Sequence, residues 1–111
     1  MTGEDCKKCN LINADLSGLS LDRIDLTGAD LSGANLSNTN MGAVNFTDAV
    51  LKDTDLSNSE LSNSTFYNSD LTNANLRHTD AKWSKFQNVN FTNAILEFSD
   101  FTVDQVEVST T

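Results

Sequence analysis

Apolar residues fall on every fifth position from Leu11 to Val106, and the register never slips. The series runs Leu11, Leu16, Leu21, Leu26, Leu31, Leu36, Met41, Phe46, Leu51, Leu56, Leu61, Phe66, Leu71, Leu76, Ala81, Phe86, Phe91, Leu96, Phe101 and Val106. A repeat of this kind decides architecture before any single residue does. A spacing of five does not fit one face of an α-helix: at about 100° per residue, each successive apolar side chain rotates by about 140° and spirals round the cylinder. A straight strand fails too, because odd spacing sends successive side chains to opposite faces. The backbone therefore has to turn once per repeat so that each centre points inward again.

The residue two before each centre is mostly small or apolar, as at Ala14, Ile24, Ala29, Ala34, Val44, Ala49, Ala74, Val89 and Ala94. Two inward residues separated by one outward residue predict a short strand segment of period two. The outward residue between them is usually Asp or Asn, for example Asp15, Asp25, Asp30, Asn35, Asn45, Asp55, Asp70 and Asn75. The two residues after the centre are mostly Ser, Thr, Asn, Asp or Gly, which predicts a corner turn.

This motif, plain in Ala29-Asp30-Leu31-Ser32-Gly33 and Ala34-Asn35-Leu36-Ser37-Asn38, resembles the pentapeptide-repeat family over essentially the whole chain from Cys9 onward. The resemblance implies an all-β fold, a right-handed quadrilateral parallel β-helix of about five coils with four repeats and twenty residues in each. Sorting the chain by twenty groups like with like. One column reads Leu26, Phe46, Phe66, Phe86, a ladder of aromatic rings, and another reads Leu16, Leu36, Leu56, Leu76, Leu96. These residues form the expected structural core. Five coils at about 4.8 Å each give a rod about 24 Å long. The expected organisation is a single domain, 1–111, with repeats over about 9–108 and short flanks at both ends. Ala81, smaller than the rest of its column, leaves space that Phe101 is expected to fill.

The chain has 111 residues, 38% of them hydrophobic, and a formal net charge of −9. So polar a composition leans toward disorder, but a disordered chain has no reason to keep a register. Proline is absent, which suits a backbone whose N–H groups are mostly needed for hydrogen bonding. Seven dispersed basic residues do not make a phosphate-binding surface, so direct nucleic-acid binding is not expected. No apolar run approaches the roughly 20 residues of a membrane span, and no signal-peptide core follows Met1. The expected location is cytoplasmic, or the thylakoid lumen or periplasm if a leader has been removed; short relatives with an N-terminal C-x-x-C look cyanobacterial.

The outward surface changes character after Leu76, where Arg77, His78, Lys82, Trp83, Lys85 and Gln87 follow. Trp83 falls on an outward turn position and Val103 occupies the same slot twenty residues on; Phe98 stacks on His78 by the same count. Trp83, Phe98, Val103 and Val108 are therefore the candidate C-terminal interface, since exposed apolar patches mark contacts and a last coil offers an open strand edge. The expectation is a homodimer joined through the C-terminal coil; the alternative is that these side chains fold over the end as a cap.

Cys6 and Cys9 form a C-x-x-C pair on inward repeat positions. No second pair of ligands is present to complete a zinc site, so no metal is expected, and no cofactor. Two buried thiols are the favoured reading, with a local disulfide as the alternative. The Asp/Asn run reads as a solvated ladder bonding to turn backbone, because acid/base catalysis needs a concave site. His78 near Asp80 lies on an outward turn and does not suggest a triad. No catalytic residue is assigned: the expected function is a non-enzymatic rigid scaffold or interaction module for an unidentified protein partner. The family resemblance supplies an alternative, an acidic mimic of DNA that binds DNA gyrase and confers quinolone resistance. Those relatives are about twice this length, whereas a dimer of this chain reaches only about 48 Å.

Overall fold

The computed structural model describes residues 5–102. Each coil takes twenty residues, because parallel bridges join every residue before a centre to its counterpart twenty positions on, from Asp5↔Asp25 through Asn35↔Asp55 to Asp80↔Asp100. Two segments lengthen into true strands, β1 (Thr65–Tyr67) and β2 (Lys85–Gln87), paired in parallel with Phe66 opposite Phe86. There Thr65 and Lys85 stand where most repeats carry Asp or Asn, and the local turn that those residues favour gives way to continued pairing.

The repeat is explained by where its five backbone N–H groups go. In residues 30–34, Asp30 N–H donates down to the Cys9 carbonyl (3.0 Å), while Leu31 and Gly33 donate up to Val50 (2.7 Å) and Lys52 (2.8 Å). Ala34 closes the corner on the Leu31 carbonyl at 2.9 Å. The fifth group, Ser32 N–H, has no backbone acceptor and donates instead to Asp30 Oδ1 at 3.0 Å. Every N–H is used, which accounts for the absence of proline. It also accounts for Asp or Asn before the centre, since a side chain with an acceptor oxygen reaches that N–H, as Glu60 also does for Ser62 at 2.8 Å.

The third residue of each corner has positive φ, as a type II turn requires. Gly18, Gly28 and Gly33 and the asparagines at 13, 38, 58, 63, 68, 73, 88 and 93 occupy it at φ between 55° and 73°. At Gly33 an added Cβ would also meet the Asn13 side chain of the coil below, which would have to swing aside.

Inside, the Phe column stacks as its spacing predicts: Phe46–Phe66 at 4.7 Å and Phe66–Phe86 at 4.9 Å between ring centres, nearly parallel. Leu36, Leu56 and Leu76 are fully buried. The ends depart from expectation. Leu96 is 40% exposed and Leu16 only half-buried, because a centre in an end coil has a neighbour on one side alone. Among the described residues the bridges between coils already include Asp5↔Asp25. Ala81 is fully buried, and Phe101 packs edge-on to Phe86 at 5.3 Å. The whole measures 28 × 22 × 22 Å, so it is a block scarcely longer than wide, and its two ends are a large part of its surface.

Hydroxyl groups share the interior with the hydrocarbon. Ser64 Oγ donates to the Met41 carbonyl (2.9 Å) and accepts from Val44 N–H (3.1 Å), both in the coil below. Ser84 repeats the arrangement on Leu61 (2.7 Å) and Ser64 N–H (3.1 Å). Each hydroxyl thus inserts into the corner turn of its neighbour and ties two coils together. Among the described residues, no buried side-chain polar atom lacks a partner.

Candidate functional site

The side faces offer little reactive chemistry. Asp15, Asp25, Asp30 and Asp100 accept from the hydroxyl and N–H of the Ser or Thr two residues on, at 2.6–2.7 Å for the hydroxyls. Those bonds, the side-chain ones first, hold all four carboxyls below the usual range and so keep them ionised. They behave as parts of the turns. Among the described residues, no three His, Cys, Asp or Glu side chains converge on a site for a metal ion.

Charge is banded along the axis. Residues 5–24 carry three basic and three acidic side chains, residues 25–73 one basic and seven acidic, and residues 74–102 three of each. Six of the nine units of net negative charge therefore fall in a belt over residues 25–73, and Glu4, Asp104 and Glu107 carry the rest.

The exposed aromatic residues lie toward the C-terminal end. Phe98 is 69% exposed and Trp83 53%. Phe98 stacks on His78 at 5.0 Å with the rings 8° from parallel, and the Arg77 guanidinium lies 5.7 Å from the Phe98 ring centre. Ile95 and Leu96 are exposed beside them in sequence. All three rings occupy corner positions of positive φ: His78 at 59°, Trp83 at 58° and Phe98 at 61°. A bulky side chain in that region costs on the order of 1 kcal/mol or more relative to glycine or asparagine. Trp83 and Phe98 recover little of it by burial. Lys82 sits between Asp80 (3.9 Å) and Asp100 (3.8 Å) on the intervening face. Of the candidate interface, Trp83 and Phe98 stand exposed at corners of the last coils described, with the Asn88 and Asn93 corners between them, while Val103 and Val108 lie outside the described residues.

At the opposite end the two cysteines are joined. Cys6 and Cys9 form a disulfide with Cα atoms 5.3 Å apart, and both are half-buried. This replaces the favoured expectation of two buried free thiols. The physical reason is the corner: a centre and the inward residue three positions later flank one turn, within the usual Cα separation for a disulfide. Nothing in the apolar pattern distinguishes that pair of positions from two packed side chains, so the periodicity alone could not decide it.

These features define a solenoid of stacked coils with its side faces occupied by turn chemistry. A sequence model of pentapeptide repeats, in eight copies, matches residues 5–42, 45–80 and 69–102. The chain belongs to the pentapeptide-repeat family. Among solved structures it is similar to HetL, a pentapeptide-repeat protein involved in heterocyst differentiation regulation in the cyanobacterium Nostoc, with TM-score 0.84 and 28% identity over 88% of this chain and 47% of HetL. Rfr23, a pentapeptide-repeat protein from the cyanobacterium Cyanothece, gives 0.82 at 19% identity over 97% of this chain and 90% of its own, a likeness of fold. QnrB1, a plasmid-mediated fluoroquinolone resistance protein, gives 0.76 at 25% identity over 89% and 54% in its trypsin-treated form. The chain thus spans about half the length of HetL and of QnrB1. No curated protein matches it.

Proposed function

We propose that the protein is a non-enzymatic interaction module, a right-handed quadrilateral β-helix of about five coils that meets its partner through the C-terminal end. The observation that carries this reading is the placement of Trp83 and Phe98 in the open, in backbone conformations that disfavour them. A fold that needed only a corner there would be better served by asparagine, as at Asn88 and Asn93. The rings are a cost to the isolated chain that a contact offsets. The partner best matched by the charge bands is a second copy. The waist repels its own kind, whereas residues 74–102 carry equal numbers of basic and acidic side chains and can face themselves across a two-fold axis. In the cytoplasm or a lumenal compartment the same end is open to another protein.

Sedimentation of the wild type beside a Trp83→Asp, Phe98→Asp double variant tests the reading. A wild-type dimer that the double variant reduces to monomers supports it; a wild type that sediments as a monomer at all concentrations refutes self-association. The gyrase-binding alternative has less support, because the chain spans only 54% of QnrB1. Across the membrane question the finding is narrow: among the described residues, no helix is long and apolar enough to span a bilayer.

A further inference from the structure

We infer that the Cys6–Cys9 disulfide is a thiol–disulfide exchange site, opened and closed by dithiol reductants while the solenoid stays folded. Three observations converge on it. The corner is closed without the covalent bond, because Cys9 N–H donates to the Cys6 carbonyl at 3.1 Å. The equivalent corners at Leu11–Ala14, Leu26–Ala29 and Leu31–Ala34 form with that hydrogen bond alone. The sulfur–sulfur bond is therefore redundant for the turn, and a loop of four residues constrains the unfolded chain less than a long one does.

The pair is also reachable. Both cysteines are half-buried rather than enclosed, and they lie in the coil that begins the described solenoid, the end least secured by neighbours. The first coil holds to the second by Cys6 N–H on the Asp25 carbonyl and Lys8 N–H on the Thr27 carbonyl, both at 2.8 Å. Those bonds fix the backbone on either side of the corner and do not involve the sulfurs.

The third observation is charge. The two residues inside the loop are Lys7 and Lys8 in a chain of net charge −9. Lys7 is loosely held, its ammonium 3.8 Å from Asp25 and its side chain 58% exposed. Cations next to a cysteine favour the thiolate and speed its departure. In the exchange, a thiolate of the reductant attacks one sulfur of the pair and forms a mixed disulfide, and the other cysteine leaves as a thiolate stabilised by the lysines. The second thiol of the reductant then displaces the first cysteine. The reductant ends as a disulfide, and Cys6 and Cys9 end reduced by two electrons.

The test uses the full chain without denaturant. Dithiothreitol or a reduced glutathione buffer is added, thiols are counted by trapping with an alkylating reagent, and the β signal is followed by circular dichroism. The expected result is two thiols per chain with the spectrum retained, and reoxidation on exchange into oxidised glutathione. A Lys7→Glu, Lys8→Glu variant is expected to exchange several-fold more slowly with the same spectrum. A Cys6→Ser, Cys9→Ser variant should fold, with faster hydrogen exchange confined to the first corner. The inference is overturned if the cysteines react only after denaturation, if reduction abolishes the β signal, or if the charge-reversed variant exchanges at the wild-type rate.

Discussion

The two ends of the solenoid solve one problem in different ways. At each end a coil has lost a neighbour, so centres that are buried in the middle are partly bare: Leu16 at one end, Leu96 and Phe101 at the other. Residues 5–24 reinforce their first corner covalently and keep small or polar residues, Asn13 and Gly18, at two of the corners. Residues 83–102 instead place Trp83 and Phe98 at the corners, with Phe98 stacked on His78. One end carries a covalent bond across a turn that also closes by hydrogen bonding, while the other spends conformational energy on display. The middle coils show the baseline against which both differ, with every centre enclosed and most N–H groups paired.

The comparison can be broken most severely in the middle. Phe66→Ala removes the ring between Phe46 and Phe86 and should cost about 3–5 kcal/mol, enough to unfold most of a small domain; urea denaturation reads it. A loss confined to one end would show that the coils do not share one cooperative core. Ser64→Ala deletes the hydroxyl bridging Met41 and Val44, leaves the packing nearly unchanged and strips Val44 N–H of its acceptor, and should cost about 1–3 kcal/mol. If the variant keeps the wild-type midpoint, the inserted hydroxyl is not a structural tie.

The corners carry the opposite sign. Trp83→Asn is expected to stabilise the monomer by about 1 kcal/mol, since asparagine accepts φ near +58° readily. Its thermal midpoint should rise while self-association falls, and a lowered midpoint would mean that the ring is held by folding contacts instead. Smallest is the response to acid. The folded-state carboxyls of Asp15, Asp25, Asp30 and Asp100 are lowered, so their contribution is complete above the ordinary carboxylate value of about 4 and is lost as pH falls through the depressed folded values. A thermal midpoint that declines gradually below about pH 4, with no transition near neutrality, is the expected profile.

Much of this was legible because a solenoid translates sequence spacing directly into contact. The Phe46–Phe66–Phe86 stack and the His78–Phe98 stack both follow from adding twenty. What escaped was anything set by the third dimension within a position. Ser64 and Ser84 look like small core residues until the neighbouring turn is in place to receive their hydroxyls. The exposure of Leu96 depends on what is missing above it, which no pattern inside the repeat encodes. The aspartates gave a partial signal: their regular placement suggested turn bonding, but only the tally of N–H groups shows that each serves the one donor left over by the backbone.

That tally has a consequence for how such a chain can change length. A deletion of twenty residues, from any point to its equivalent one coil later, removes a whole storey and restores every donor to an acceptor of the same kind. Loss of five residues keeps the local motif but rotates everything beyond it by one wall, bringing Phe86 over Leu centres and separating Phe98 from His78. Growth by storeys is therefore nearly free of structural conflict, while growth by single motifs is not, and a trimmed variant lacking residues 36–55 should fold to a shorter block with both of its ends unchanged.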